Sequence, residues 1–571
     1  MGNLHKKIFF GLFSIFVLNS ISADEPRIVL NQLGFYPSTT KYAVSLSSKE
    51  KSGINDKFEI VRSDGKVVMK GSLTKTKYFK DSDENAVLID FTNLTEEGKF
   101  YIKIGNLKSH SFIISDKVWD ELSDALLKSF YYQSCSYPLS PAYAGKWNRN
   151  KGHDDTVCHV HPSANSDKKI ISSPGGWYDA GDYGKYVVNS GVTLATLLYV
   201  AEHYPQLYPD MSLNIPESGN KVSDLIDEIK FELDWLFTMQ DSDGGVFFKL
   251  TSKYFCGMVM PEKDNLPRYV IGKTTSSALN FSAVMAAAYR VFKNIDSEYA
   301  EKCLESSINA WKWSRRNPVS VFRNPSDILT GEYGDGNLND EFVWAASELY
   351  LSTKEKEYSS YLDNNLFKLR AWKNADVSSL PSWANVELLS VISLSKSTED
   401  NNYTSECKKL IFRMSEKIID QINNNPLRIP EVGYGWGSNS VFANAGWILL
   451  VAASLDDNNS KYINSASDIA DYLLGKNPVG ISFITGFGTK YAMNPHHRPS
   501  AADEVKEPIP GFIVGGPNPH HNDKAHVKYN SSLPALSYED VVESYASNEV
   551  AINWNAPAVL LFSVLKSYMH K

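Results

Sequence analysis

A mainly α protein preceded by a small all-β sandwich is the fold class that three features of the 571-residue sequence predict. From Arg27 to about Ile114, short β-type runs are separated by turn signals at the spacing of a small sandwich. From Val118 onward apolar residues recur at helical spacing, as in Val222, Leu225, Ile226, Ile229, Leu233 and Leu236 along one face. The composition, 43% apolar and 22% charged, is that of an ordinary globular chain and excludes disorder and collagen-like fibre.

Taken in order, His5, Lys6 and Lys7 precede the apolar run Ile8 to Leu18, and Ile21-Ser22-Ala23 ends in a small residue. This predicts an export signal over residues 1–23 and a product that is secreted or periplasmic. The run is shorter than the roughly 20 residues of a membrane span. Later apolar runs have core-helix length, so no membrane span is expected after cleavage. Residues 24–115 then carry the strand signals: Phe58 to Val61, the hairpin turn Asp64-Gly65, Lys66 to Met69, Ala86 to Phe91, Lys99 to Ile104 and Ser111 to Ile114. Residues 116–571 carry about a dozen helical patterns, with no strand block read between them. Gly, Asp, His and Trp concentrate in the long connections 145–185, 241–272, 323–340, 425–440 and 475–548, where loop-borne sites are expected.

The 58 basic and 66 acidic residues leave a formal charge of −8, which becomes −10 once Lys6 and Lys7 leave with the signal. With no basic stripe, a nucleic-acid partner is excluded. The 31 Tyr and 12 Trp supply flat faces suited to sugar rings, although most such residues simply pack. Five cysteines are too few for a disulfide scaffold of this size.

Three constellations carry chemistry. In Gly175-Gly176-Trp177-Tyr178-Asp179-Ala180-Gly181-Asp182-Tyr183-Gly184, glycines permit tight turns around two carboxylates. Close carboxylates raise one another's pKa, as acid/base enzymes require, while the plain alternative is an Asp capping a helix near Tyr183. Tyr538-Glu539-Asp540 and Asn548-Glu549 precede an apolar helix; Glu549 is either a favourable charge at a helix start or, if buried, a general acid. Ser482 to Gly488 leads to Pro495-His496-His497-Arg498, suited to sugar hydroxyls, a metal or an ion pair.

Together with the opening Ile28 to Phe35, these segments resemble the inverting cellulases of glycoside hydrolase family 9 that carry an N-terminal immunoglobulin-like domain. The resemblance covers essentially the whole mature chain, and Gly331 to Gly334 and Trp436 to Ser440 add lesser matches. It implies an (α/α)6 barrel behind an immunoglobulin-like sandwich. It implies that Asp182 is the general base, that Asp179 helps hold the attacking water, and that Glu549 is the general acid. His496, Arg498 and Asp540 would shape the subsite at the scissile bond, and Trp177, Tyr434 and Trp436 would stack on sugars. Inversion requires the acid and base carboxyls about 6.5–9.5 Å apart.

No cofactor is expected for the chemistry. Structural Ca²⁺ is expected at Asp340 and Glu341, where the alternating oxygens of 335–341 suit a hard cation and relatives bind one; an Asn/Asp turn is the alternative. Asn385 stands where a third, acidic ligand would be expected. Cys135, Cys158 and His159 would supply three ligands of a structural Zn²⁺ held by some relatives, or the two cysteines a disulfide. The chain thus reads as an exported monomer that hydrolyses β-1,4-glucosidic bonds in cellulose or related β-glucans, most plausibly internally. Exo-acting cellodextrinase, glucosidase or exo-β-glucosaminidase action on the same fold is the alternative. An inactive carbohydrate-binding or adhesion protein is the alternative from another class.

Overall fold

The computed structural model describes residues 25–49, 56–399 and 401–570. The expected export signal lies outside the described residues. Ten strands come first: β1 (Arg27–Val29), β2 (Gly34–Phe35), β3 (Tyr42–Ser48), β4 (Lys57–Arg62), β5 (Val67–Ser72), β6 (Lys77–Phe79), β7 (Glu84–Asp90), β8 (Gly98–Ile104), β9 (Leu107–Lys108) and β10 (Phe112–Ile114). They form two sheets, β1-β3-β7-β6 and β2-β10-β8-β4-β5, with β9 on β8. The predicted turn at Asp64-Gly65 joins β4 to β5, and Gly65 takes the left-handed φ of 89° that glycine tolerates.

Strand alternation gives the first sheet two buried faces. Ile28, Ala43 and Ile89 point into the sandwich with Phe35, Phe58, Phe91 and Phe112. Val29, Val44, Leu46, Phe79 and Ala86 point the other way, into the same cluster as Trp119 and Leu122 of the helical part. A strand buried on both faces loses its apolar–polar alternation, which is why β3 left little trace in the sequence.

Twelve helices of eight residues or more follow among the described residues: α1 (Asp120–Tyr132), α2 (Val187–His203), α3 (Asp224–Met239), α4 (Thr275–Phe292), α5 (Ser297–Arg316), α6 (Asn339–Thr353), α7 (Lys356–Asn365), α8 (Glu387–Ser395), α9 (Asn402–Asn424), α10 (Ser438–Ala453), α11 (Ser460–Leu473) and α12 (Ile552–Met569). An inner ring runs α12, α2, α4, α6, α8, and α9 bridges α8 to α10, which returns to α12. Each inner helix pairs with an outer one: α2 with α3, α4 with α5, α6 with α7, α8 with α9, α10 with α11, and α12 with α1. Inner helices are buried almost all round, whereas the outer α5 and α9 bury one stripe. The result is the expected six-hairpin barrel.

The connections contain a third sheet that the sequence reading missed. Strands β11 (Cys158–Val160), β12 (Ile170–Ile171), β13 (Lys185–Tyr186), β14 (Phe247–Thr251) and β15 (Tyr269–Lys273) run in the order β12-β11-β15-β14-β13. Its strands are at most five residues long, and β14 is buried along its whole length despite containing Lys249, so no periodicity marks it.

The two parts are latched by the opening Asn31-Gln32 segment. Asn31 Nδ2 donates to Asp471 Oδ1 of α11 (2.9 Å), while its Oδ1 accepts from the Leu33 and Gly34 amides (3.0 Å each). Gln32 donates to Gly480 O (2.9 Å) and accepts from the Lys490 amide (2.8 Å). Asn31→Ala strands buried polar groups on both sides of this latch and is expected to cost about 1–3 kcal/mol, read as a lower Tm by calorimetry. An unchanged Tm contradicts the latch.

Candidate active site

The loop before α2 is held from below by a buried ion cluster. Asp155 takes Lys185 Nζ (2.9 Å) and Arg268 Nε (2.9 Å) on its carboxylate. Burial alone would raise its pKa, but Arg268 and Lys185 hold it well below the usual carboxylate range. Lys185 also donates to Ser173 O (3.1 Å) and Gly175 O (2.8 Å), and Arg268 to Tyr183 O (2.8 Å). Both ends of the Gly-rich loop are therefore fixed to one carboxylate. At Gly181 the chain passes so close to His496 that a Cβ would lie 2.1 Å from its carbonyl oxygen.

Within this loop Asp179 is fully buried and accepts from Asn189 Nδ2 (2.8 Å) and Tyr333 OH (3.0 Å). Burial, then repulsion from Asp182, pushes its pKa up to about 8. Asp182 accepts from the Gly184 amide (3.0 Å) and Tyr186 OH (3.3 Å). Neither caps a helix, since α2 begins at Val187 behind Tyr186.

Glu549 precedes α12 by three residues and belongs to an extended segment sewn to its neighbours. His496 bridges Glu549, Val514 bridges Val550, and Ala180 bridges Ala551. These bridges bring the base loop, the His-containing segment and the acid segment to one place. Burial pushes Glu549 well above the ordinary range, Asp182 and Asp179 push it further, and Arg498 opposes them. These surroundings favour its protonated form. Asp540 works from behind, outside the cleft wall: its carboxylate accepts from the Met493 and Asn494 amides (2.8 Å each) and Asn548 Nδ2 (3.1 Å). His496 Nδ1 bonds Val542 O (2.6 Å), and burial lowers its pKa, so it is a neutral ring. Arg498 donates to Gly181 O (2.6 Å) and Cys256 O (3.1 Å).

Asp182, Glu549, His496, Arg498 and Trp436 all line one cleft of about 830 Å³. Its aromatic walls also include Phe255, Tyr333, Trp383, Tyr545 and Trp554, which the sequence reading did not assign. Tyr333, Tyr545 and Trp554 lay in matched motifs without a role of their own; nothing local separates Phe255 and Trp383 from core aromatics.

Two predicted stacking residues fall elsewhere. Trp177 is fully buried, its ring 4.7 Å from Phe130 and its Nε1 donating to Glu228 Oε2 (3.3 Å), so it offers no face to a ligand. Tyr434 is absent from the cleft wall and packs on Phe442 (6.1 Å). Trp436, by contrast, is 48% exposed and tilts over Tyr545. Trp436→Ala is expected to raise KM roughly 2- to 10-fold on oligosaccharides with little change in kcat, whereas Tyr434→Phe leaves both unchanged. Steady-state kinetics with cellopentaose checks both.

No three His, Cys, Asp or Glu side chains are grouped to hold a metal among the described residues. The zinc expectation is corrected: Cys135 and Cys158 are buried free thiols on Asp155, raised in pKa by burial. His159 points to the opposite face of β11, exposed and 5.3 Å from the Tyr269 ring. The thiols therefore pack around an ion cluster that already satisfies Asp155. Asp340 and Glu341 start α6 side by side, and burial raises both. Asp340 accepts from Asn337 Nδ2 (2.7 Å) and the Val386 amide (3.0 Å), but Glu341 Oε2 and Asp335 Oδ2 are buried with no hydrogen-bond partner. Asn385 is engaged with Ser378 O and the Glu387 amide (3.3 Å each).

Comparison with known proteins agrees with this geometry. Residues 119–562 match glycosyl hydrolase family 9, and residues 23–109 match the cellulase N-terminal Ig-like domain. The chain is 38% identical over 567 residues to a xyloglucan-specific endo-beta-1,4-glucanase of Bacteroides ovatus, covering 94% of this chain and 93% of that one. It is 31% identical to endoglucanase D of Acetivibrio thermocellus, covering 95% and 84%. A solved Bacteroides ovatus family 9 structure superposes with a TM-score of 0.86 at 36% identity, covering 95% and 99%. A family match over residues 119–562 and a relative 38% identical along nearly the whole chain, on a six-hairpin barrel with an aromatic, carboxylate-lined cleft, show that the chain belongs to glycosyl hydrolase family 9 and is a glycoside hydrolase.

Proposed function

We propose that the protein cleaves internal β-1,4-glucosidic bonds of a β-glucan by single displacement with inversion. The observation that carries this reading is that Glu549, held protonated by burial, lines the same aromatic cleft as Asp182. Asp182 takes a proton from water as the water oxygen attacks the anomeric carbon. Glu549 gives its proton to the departing glycosidic oxygen, so the bond breaks without expelling an alkoxide. Asp179, buried behind Asp182 and tied to Asn189 and Tyr333, would help hold that water through the loop it shares with Asp182. His496 and Arg498 form the wall beside the acid, and Asp540 fixes the backbone that carries them.

An exported monomer suits a polymeric substrate, and no helix among the described residues is long and apolar enough to cross a membrane. The relative from Bacteroides ovatus makes xyloglucan a substrate to set beside unbranched cellulose. Glu549→Gln and Asp182→Asn are each expected to reduce hydrolysis of carboxymethylcellulose or xyloglucan by about 10²–10⁴-fold while retaining oligosaccharide binding. On a dinitrophenyl glycoside, whose leaving group needs no proton, Glu549→Gln recovers most of its activity and Asp182→Asn does not. Near-parent turnover by either variant on the polymer overturns the assignment. Rapid loss of viscosity marks internal cleavage, whereas release of single sugar units from chain ends overturns it.

Asp340 and Glu341 are further proposed to hold a divalent cation of the Ca²⁺ type. The partnerless oxygens of Glu341 and Asp335 support this, since a buried carboxylate oxygen without a donor is costly. The ion would stabilise the start of α6 and take no part in bond cleavage. A chelator is expected to lower the Tm by several degrees, restored by Ca²⁺; a Tm insensitive to both contradicts the site.

A further inference from the structure

Beneath the cleft floor lies a buried cation with no assigned role. Lys249, in the centre of β14, is fully buried. Its Nζ donates to Gly331 O (2.7 Å), Asn324 Oδ1 (2.8 Å) and Thr330 Oγ1 (3.2 Å). Unlike Lys185 and Lys476, which are equally buried, it has no carboxylate within ion-pair distance among the described residues. Thr330 and Gly331 form part of the cleft wall, and Tyr333, two residues on, bonds Asp179. On the other side, Lys249 is the cross-strand partner of Tyr186, with its Nζ 5.5 Å from the ring centroid. The Tyr186 hydroxyl donates to Asp182. One ammonium thus lies behind both carboxylates of the base loop.

We propose that Lys249 is a positioning residue for hydrolysis: it pins the Thr330 hydroxyl and the Gly331 carbonyl and, facing Asp182 across Tyr186, sets a positive charge behind that carboxylate and keeps it aimed at the water. The proposal rests on the reading of Asp182 as the base. An uncompensated buried ammonium is costly, and neutral partners alone do not offset it. Burial lowers the Lys249 pKa to about 7, opposed by attraction to Asp182 and then Glu332, so the cation persists on the acidic side of neutrality. That is the range in which a catalytic base of carboxylate type loses its proton.

The charges around the pair are few. Lys249 is faced by Asp182 and Glu332. Asp182 is faced by Asp179 and Tyr186 from its own segment, Tyr333 from the 331–334 turn, His496 and Arg498 from the His-containing segment, and Glu549. Arg498 spends its donors on the Gly181 and Cys256 carbonyls. Lys249 is therefore the cation that faces Asp182 from beneath, with Glu332 as its lesser counter-charge.

The test is the pH profile of kcat/KM on cellopentaose for Lys249→Gln and Lys249→Met in the full chain. Gln keeps hydrogen-bonding capacity toward Gly331 and Thr330 and removes only the charge. Both variants are expected to move the acidic limb upward by roughly 0.5–1 pH unit and to lower kcat about tenfold with KM within about twofold. If Lys249→Met does not fold, Lys249→Gln decides. An acidic limb that coincides with the parent's in a folded Lys249→Gln enzyme overturns the proposal, because a purely structural lysine would change Tm and leave the limb in place. Asp182→Asn, measured alongside, separates the two readings. Its inactivity together with an unmoved limb rejects only the role of Lys249, whereas its activity rejects the base itself.

Discussion

The site depends on one buried ion cluster. Asp155 binds Lys185 and Arg268, and through them the carbonyls of Ser173, Gly175 and Tyr183, so the loop carrying Asp179 and Asp182 hangs from a single side chain. Buried ion pairs add little to stability unless every remaining donor is satisfied, and here the spare donors go to the loop backbone. The cluster is better understood as a device for geometry than for stability. The two thiols beside it, Cys135 on the Asp155 carboxylate and Cys158 on the Asp155 backbone carbonyl, pack against a side chain whose cations are already in place.

The same low-dielectric surroundings set the protonation pattern at the cleft. Burial raises Asp179 and Glu549, and repulsion from Asp182 adds to both. The arrangement separates the two roles by what lies behind them. Glu549 stands on an extended segment among aromatics, while Asp182 accepts two hydrogen bonds and faces a buried ammonium.

Much of this architecture was legible in the sequence. Outer helices such as α5 and α9 announce themselves because only one stripe is buried. The carboxylates proposed for catalysis were reached by resemblance of their motifs, and the bridges at Ala180, His496 and Glu549 show how these distant segments meet. What remained hidden has physical causes. Sheet β11–β15 is built of strands too short and too uniformly buried to show a period. Trp177 and Trp436 both sit in conspicuous Gly-rich motifs, yet one is sealed against Phe130 and the other stands in the cleft, a difference set by tertiary packing. The misplacement of His159 was avoidable once Cys158 was read in a strand, because adjacent strand residues face opposite ways.

The Gln32 latch gives the sandwich a reach beyond its own borders. Its side chain clasps Gly480 and Lys490, the two ends of the turn that leads toward His496, and the His496 carbonyl in turn abuts Gly181. Exchanging the N-terminal module for another would therefore be a transplant across a living joint: the donor sandwich must bring its own clasp for 480–490, or the recipient barrel inherits a loosened wall.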